Sequence, residues 1–438
     1  MSLRKIIIYT IGTYLVLSSI MSVSYFVGKQ PEKSDQILNG IPKKITEIIV
    51  SPIRITRRFF IHEDGTKIKN KTIKDGVHFF VKDSVFDNLK ILTSYYENEK
   101  LTVELIDFKT KKSVKKWFPY VDEIMDSLLK GQNRISSQKI SKLEGLPNIQ
   151  TLRHPVLMKD SSIVVGGESF FKMDNNSKLI WINTNIEAHH SLELDHENNI
   201  WISGRRLYSK LPELIDNENT EFMDDLIMKI NPDNGEVLFE KSVIQILKDN
   251  DLYDLIFKNG NYEIDPIHLN DVQPSLTDSD YWKKGDLLIS SRHLSTIILY
   301  RPSSNKVLWY KQGPWLNQHD PDFLPNNKIS VFGNQVYRTT PNAISDKIDH
   351  PYEFNSVFVY DFETDSVTEP YKTFLEFEKI KTLSEGRSEI LSNGDLFVEE
   401  TNNGRIFIGD TIKKKLSFSK RLNDEEIIYL HWSRIIKN

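Results

Sequence analysis

The chain has 438 residues, 39% of them hydrophobic and 27% charged, a balance with room for a sizeable core or a large repeat fold. Its formal net charge of -4 gives no basic surplus that would attract nucleic acid as a general partner. It has no cysteine, which excludes disulfides, thiolate catalysis and Cys-ligated metals.

In chain order, the first feature is an apolar run from Ile6 to Val27 behind Arg4 and Lys5. It is about long enough to span a bilayer as a helix and exceeds the usual apolar core of a cleaved signal, roughly 7–15 residues. Residues 1–28 therefore read as an uncleaved signal anchor, with cleavage after Ser24 as the alternative. The basic pair ahead of the span puts the N-terminus in the cytoplasm and the body on the periplasmic side of the inner membrane. Residues 29–75 read as a polar tether and N-terminal strands.

From residue 76 onward one pattern repeats six times. Each copy has an alternating apolar strand, a turn rich in Asn, Asp or Gly, two further strands, and a last strand that often ends near an aromatic residue. The copies run from Val77 to Trp117, from Leu152 to Trp181, from His190 to about Val243, from His268 to Tyr310, from His319 to about Phe374, and from about Ser384 to Phe418. Four short strands per copy and six copies predict an all-β, six-bladed β-propeller, with a β-sandwich pair as the alternative. IIYLHWSRII, near the C-terminus, is strand-like, and its expected partner in closing the ring lies near Ile45–Ile55. Val121–Leu129, Glu221–Ile227 and Lys241–Phe257 read as short helical insertions. The Asp-rich turns NPDNGE and DHENN lack the spaced ligands of a calcium loop and read as hairpins.

The starts of the repeats share a chemistry. The second begins with Arg153-His154, the third with His189-His190, the fourth with His268-Leu269-Asn270, the fifth with Gln318-His319-Asp320, and the sixth with Arg387-Ser388. Equivalent positions in propeller blades are related by rotation about the channel axis, so these imidazoles converge at one mouth of the channel. Arg292, at the end of an aliphatic strand in the fourth repeat, is costly to bury unpaired, and its planar fork suits a bound oxyanion such as sulfate or phosphate. Strand alternation puts the neighbouring His293 on the opposite face, in a structural or surface role. Trp315, just before His319, reads as either a wall of the site or core packing.

GDLLISSRHLSTIILY, WLNQHDPDFLPNNKISVFGN, HHSLELDHENNIWIS and IHLND resemble the core signature of arylsulfotransferases over residues 150–410. The resemblance implies an exported propeller enzyme that moves a sulfuryl group from an aryl sulfate to a phenol, without a nucleotide sulfate donor or other cofactor and with no metal. The family's transiently sulfurylated histidine corresponds to His319. The His-x-Asn motif corresponds to His268 and Asn270, the strand-end arginine to Arg292, and the paired histidines to His189-His190, of which His190 directly precedes the strand. Ser388 is a candidate for the hydroxyl that some relatives carry in the last blade. The implied roles are nucleophile for His319, proton transfer for His190 or His268, and oxyanion binding for Arg292 and Asn270. The competing reading is a non-catalytic anchored propeller that binds an anionic ligand or an envelope partner through the same pocket.

Overall fold

The computed structural model describes residues 67–97, 100–119, 152–167, 170–183, 187–210, 221–260, 263, 265–338, 348–349 and 352–437. All of them fall in one compact unit, Lys67–Ile135 with Asn148–Asn438. The apolar run Ile6–Val27, the strands expected near Ile45–Ile55 and the helix expected over Val121–Leu129 lie outside the described residues. No helix among the described residues is long and apolar enough to cross a membrane.

Six antiparallel sheets of at least four strands make up the described propeller. Their strands alternate side chains between two faces, and both faces are covered by neighbouring blades, so the sequence reads as unbroken apolar runs. In blade four, Leu287, Ile289, Ile298 and Tyr300 pack towards Trp201 and Ile227 of blade three. Leu288, Ile297 and Leu299, the alternate residues, pack towards Ile329, Val331 and Phe358 of blade five. The same division recurs around the ring, with one buried apolar cluster at each of the six blade interfaces. Each fully buried Leu or Ile contributes about 1.5–3 kcal/mol, so the ring is held by contacts between blades rather than within them.

Both ends of the described chain help to close the circle. Arg434–Lys437 pairs with Leu89–Leu92 as the inner strand of blade one, outside which lie Lys100–Asp107 and Lys112–Trp117. Gly76–Phe79 pairs with Leu416–Ser419 on the outer edge of blade six. The first copy thus splits between two blades, and among the described residues the closing strand pairs with Leu89–Leu92. A short ladder of Lys67–Lys69 against Glu426–Ile428 adds to the closure.

One expectation about the insertions changes. Glu221–Ile227 belongs to a strand, Glu221–Ile230, because its register with Ile200–Lys210 buries Leu226 and Met228 on one face and Ile227 on the other. The segment Thr277–Lys284 follows Pro274, at the far end of the inner strand Leu269–Pro274 from His268. There Trp282 packs on Phe323 and Phe362 of blade five. Helix Val243–Asp249 forms within the predicted Lys241–Phe257 patch, with Ser242 capping Gln245 N–H at 3.2 Å.

Candidate functional site

The innermost strands do not enter the blades smoothly. In blades two to five the pairing register shifts at the strand start, between Arg153 and Val156, Ala188 and Leu192, Leu269 and Asp271, and His319 and Pro321. His154, His190, His268 and, in blade five, Asp320 have left-handed backbones there, with φ of 48°, 68°, 49° and 48°, as does Trp432 ahead of the inner strand of blade one, at 53°. That conformation is uncommon outside glycine, and at a bulge it re-aims a side chain out of the sheet. The result is a cluster of rings from five blades. His190 is centred 5.5 Å from His319 and 5.9 Å from His268, and stacks on Trp432 at 5.6 Å. Trp432 also meets His319 edge-on at 5.9 Å and His154 at 5.6 Å.

His319 is 1% exposed. Its Nδ1 lies 2.6 Å from Asn334 Oδ1. The Asn334 amide nitrogen donates to the carbonyls of Thr382 and Glu385, at 3.1 and 2.9 Å. Asn334 therefore presents its oxygen to His319, which fixes Nδ1 as the protonated nitrogen and leaves the lone pair on Nε2. Burial and then the Arg292 guanidinium push the imidazole down to about 3, so it is neutral at ordinary pH. The loop that supplies Glu385 needs glycine at 386: φ is +86°, and a Cβ would come within 2.6 Å of Phe332 and Thr382.

Arg292 is 4% exposed and donates through Nη1 to His293 Nε2 at 3.0 Å. His293, expected on the opposite face, is buried and stacks on His268 with centroids 4.2 Å apart. Alternation fails because the strand ends at Ser291 and the next residues turn. His268 is part-exposed, and its Nδ1 is 2.6 Å from the Asp265 carboxylate.

The other predicted residues are placed differently. Asn270 is fully buried and donates to the Gln318 carbonyl at 2.7 Å, so it ties blade four to the peptide before His319. Ser388 is buried beside the same strand, its N–H donating to Asp320 at 2.6 Å. Trp315 packs on Phe358 in the core between blades four and five rather than among the histidines.

Below the rings the channel is charged. Arg387, 3% exposed, lies 2.5 Å from His154 Nε2 and 3.5 Å from Asp320. Burial and then the Arg434 and Arg387 charges hold His154 well below the ordinary histidine range. Burial raises Asp320 to about 6 against the pull of Arg387, and raises Asp271 and Asp322 well above the carboxylate range. Among the described residues, Asp265, His268 and His293 have the spacing to hold a metal ion, with one ligand atom each within 4.8 Å of the others. Here they are joined by hydrogen bonds, since His293 Nδ1 meets the Asp265 carbonyl at 2.7 Å.

Sequence reasoning missed Trp432, Asn334, Asp265 and the inward turn of His293. The WSR of the C-terminal strand was legible as strand but carried no signal that its tryptophan faces the channel.

The family model described as Arylsulfotransferase (ASST) matches residues 153–420, the span that supplies all four histidine-bearing blade starts. No curated protein matches the chain. Among solved structures, the chain is similar to a protein of unknown function from Bacteroides caccae, with 10% identity, a TM-score of 0.45, and coverage of 80% of this chain and 99% of that one. It is also similar to Kuenenia stuttgartiensis hydrazine synthase, with 9% identity, a TM-score of 0.37, and coverage of 71% and 73%.

Proposed function

Because the chain belongs to the arylsulfotransferase family, we propose that it moves a sulfuryl group from an aryl sulfate to a phenolic acceptor through a sulfo-histidine on His319. The observation that carries this reading is a buried, neutral imidazole whose proton is pinned on Nδ1 by Asn334, with Arg292 and two further imidazoles gathered beside it.

In the first half-reaction the lone pair on His319 Nε2 attacks sulfur. The bond from sulfur to the aryl oxygen breaks, its electron pair goes to that oxygen, and a pocket imidazolium supplies the proton. In the second half the same imidazole takes the proton of the acceptor phenol. The phenol oxygen attacks sulfur, and the N–S bond returns its pair to Nε2. Negative charge on the three equatorial oxygens is met by Arg292, by analogy with phosphoryl transfer. Asn270 contributes by fixing the peptide that carries His319. Trp432, stacked on His190 and edge-on to His319, is the large apolar ring beside the nucleophile and would wall the aryl site. The apolar run behind Arg4 and Lys5 supports placing the propeller on the periplasmic side of the membrane.

The test is release of nitrophenol from nitrophenyl sulfate in the presence and absence of a phenol acceptor, with mass analysis of the donor-only reaction. The reading requires acceptor-dependent turnover and one sulfuryl group on His319. Full turnover by His319→Ala would refute it.

A further inference from the structure

The reading above leaves the proton with one of two histidines. Four residues at the mouth of the channel bear on the choice. Asp265 lies three positions before His268, at the start of blade four. Its carboxylate accepts from His268 Nδ1 at 2.6 Å, and its backbone carbonyl accepts from His293 Nδ1 at 2.7 Å. The His293 ring stacks on His268 at 4.2 Å, and its Nε2 accepts from Arg292 at 3.0 Å. One residue thus braces two groups. Its carboxylate sets the tautomer of His268, turning Nε2 away from Asp265, and its carbonyl orients the imidazole that holds the Arg292 guanidinium.

We infer that Asp265 is the positioning residue of the transfer reaction, making His268 the general acid and base while holding Arg292 through His293. The chemistry requires such a partner. The proton-handling imidazole must accept a proton in one half-reaction and give it up in the other, and a carboxylate on its far nitrogen stabilises the charged form. In-line displacement also demands that the acid lie on the side of sulfur remote from the nucleophile. His319 and His268 both neighbour His190, at 5.5 and 5.9 Å. His268 is the part-exposed member of the three, where a phenol arriving from solvent meets it, whereas His319 and His190 are buried. Asp265 is itself anchored: Arg205 Nη2 lies 3.9 Å from its carboxylate, and Arg205 also reaches Asp225 at 3.3 Å. Asp225 in turn accepts the N–H of Leu269, the residue after His268, at 2.9 Å. The backbone and the ring of the proton-handling residue are therefore held from one direction.

This inference rests on the proposed transfer reaction and is tested separately from it. Asp265→Asn keeps an acceptor for His268 but removes the charge. Wild type and variant would be compared on a series of aryl sulfates whose leaving phenols range from a nitrophenol to a methoxyphenol, with one fixed acceptor. Protonation matters most for the most basic leaving group. The expected loss in kcat/KM is therefore about 100-fold with the methoxyphenyl donor, shrinking to a few-fold with the nitrophenyl donor. Asp265→Glu, which restores the carboxylate, should recover much of the loss with the poor leaving groups. Equal losses across the series, or no recovery in Asp265→Glu, would overturn the assignment while leaving the transfer reaction standing. If Asp265→Asn does not fold, Asp265→Ser takes its place, a loss that grows with the basicity of the leaving phenol supporting the assignment and a loss equal across the series refuting it. Failure of the wild type to transfer to any phenol would remove both readings.

Discussion

Asn334 and His319 face each other at 2.6 Å, and the amide of Asn334 is itself held by two carbonyls from the neighbouring loop, so it can present only its oxygen to the imidazole. Asn334→Asp replaces that neutral oxygen with an anion at the same place, which favours the imidazolium. His319 should then titrate well above its present value of about 3, and turnover should fall on the acid side of neutrality where wild type holds steady. A pH profile of kcat/KM between pH 4 and 9 reads the shift. Asn334→Ala, which frees the tautomer, should cost about 100-fold or more at every pH.

Stability should carry the opposite signature of the same burial. Folded His319 binds its proton at about 3, whereas an unfolded histidine does so near 6.5. A base depressed in the folded state contributes its full stability above pH 6.5 and loses it progressively as pH falls towards 3, because the unfolded chain takes up the proton first. His154 acts in the same direction. Asp320, raised to about 6, acts the other way, its contribution being lost as pH rises from about 4 through 6. His319→Gln should therefore gain in Tm relative to wild type on going from pH 7 to pH 4, measured by calorimetry at both.

Trp432 is fully buried and touches three of the histidine rings. Its backbone is set by Glu399 of blade six, which accepts the N–H groups of Trp432 and Ser433 at 2.8 and 2.6 Å. Trp432→Ala should destabilise the protein by about 3–5 kcal/mol in urea titration. Trp432→Phe should fold nearly as well yet raise KM for aryl donors, because the smaller ring stacks less.

Arg387 sits in the channel among Asp320, Glu389 and His154. Removing a buried charge from its partners is costlier than never having built the pair, at about 3–5 kcal/mol. Arg387→Met should show a loss of that order at pH 7, and a smaller one at pH 5, where Asp320 takes up a proton in the folded state. Chemical denaturation at the two pH values gives the comparison.

The six-fold repeat was legible because each blade buries both faces of every strand, which leaves runs such as LLIS and TIILY unmistakably apolar. The gathering of His190, His268 and His319 was legible for a related reason, since equal phase in the repeat becomes nearness around an axis. What escaped depended on features that phase does not encode. His293 could not be placed by alternation because the strand had already ended. Glu221–Ile227 has the spacing of a helix and was overruled by pairing with Ile200–Lys210. Asn334 and Asp265 reach the histidines from loops, Asn334 through one hydrogen bond and Asp265 through two, and a lone Asn or Asp in a loop has no pattern. The partner of the closing strand depended on contact across nearly the whole chain, between Arg434 and Leu92.

That closure also governs timing. Every histidine of the pocket precedes residue 320, yet the indole they gather around and the strand that seals the first blade come last, at Trp432 and Arg434–Lys437. A nascent polypeptide therefore carries His319 well before it can enclose it, since the ring of blades closes only when Arg434–Lys437 pairs with Leu89–Leu92.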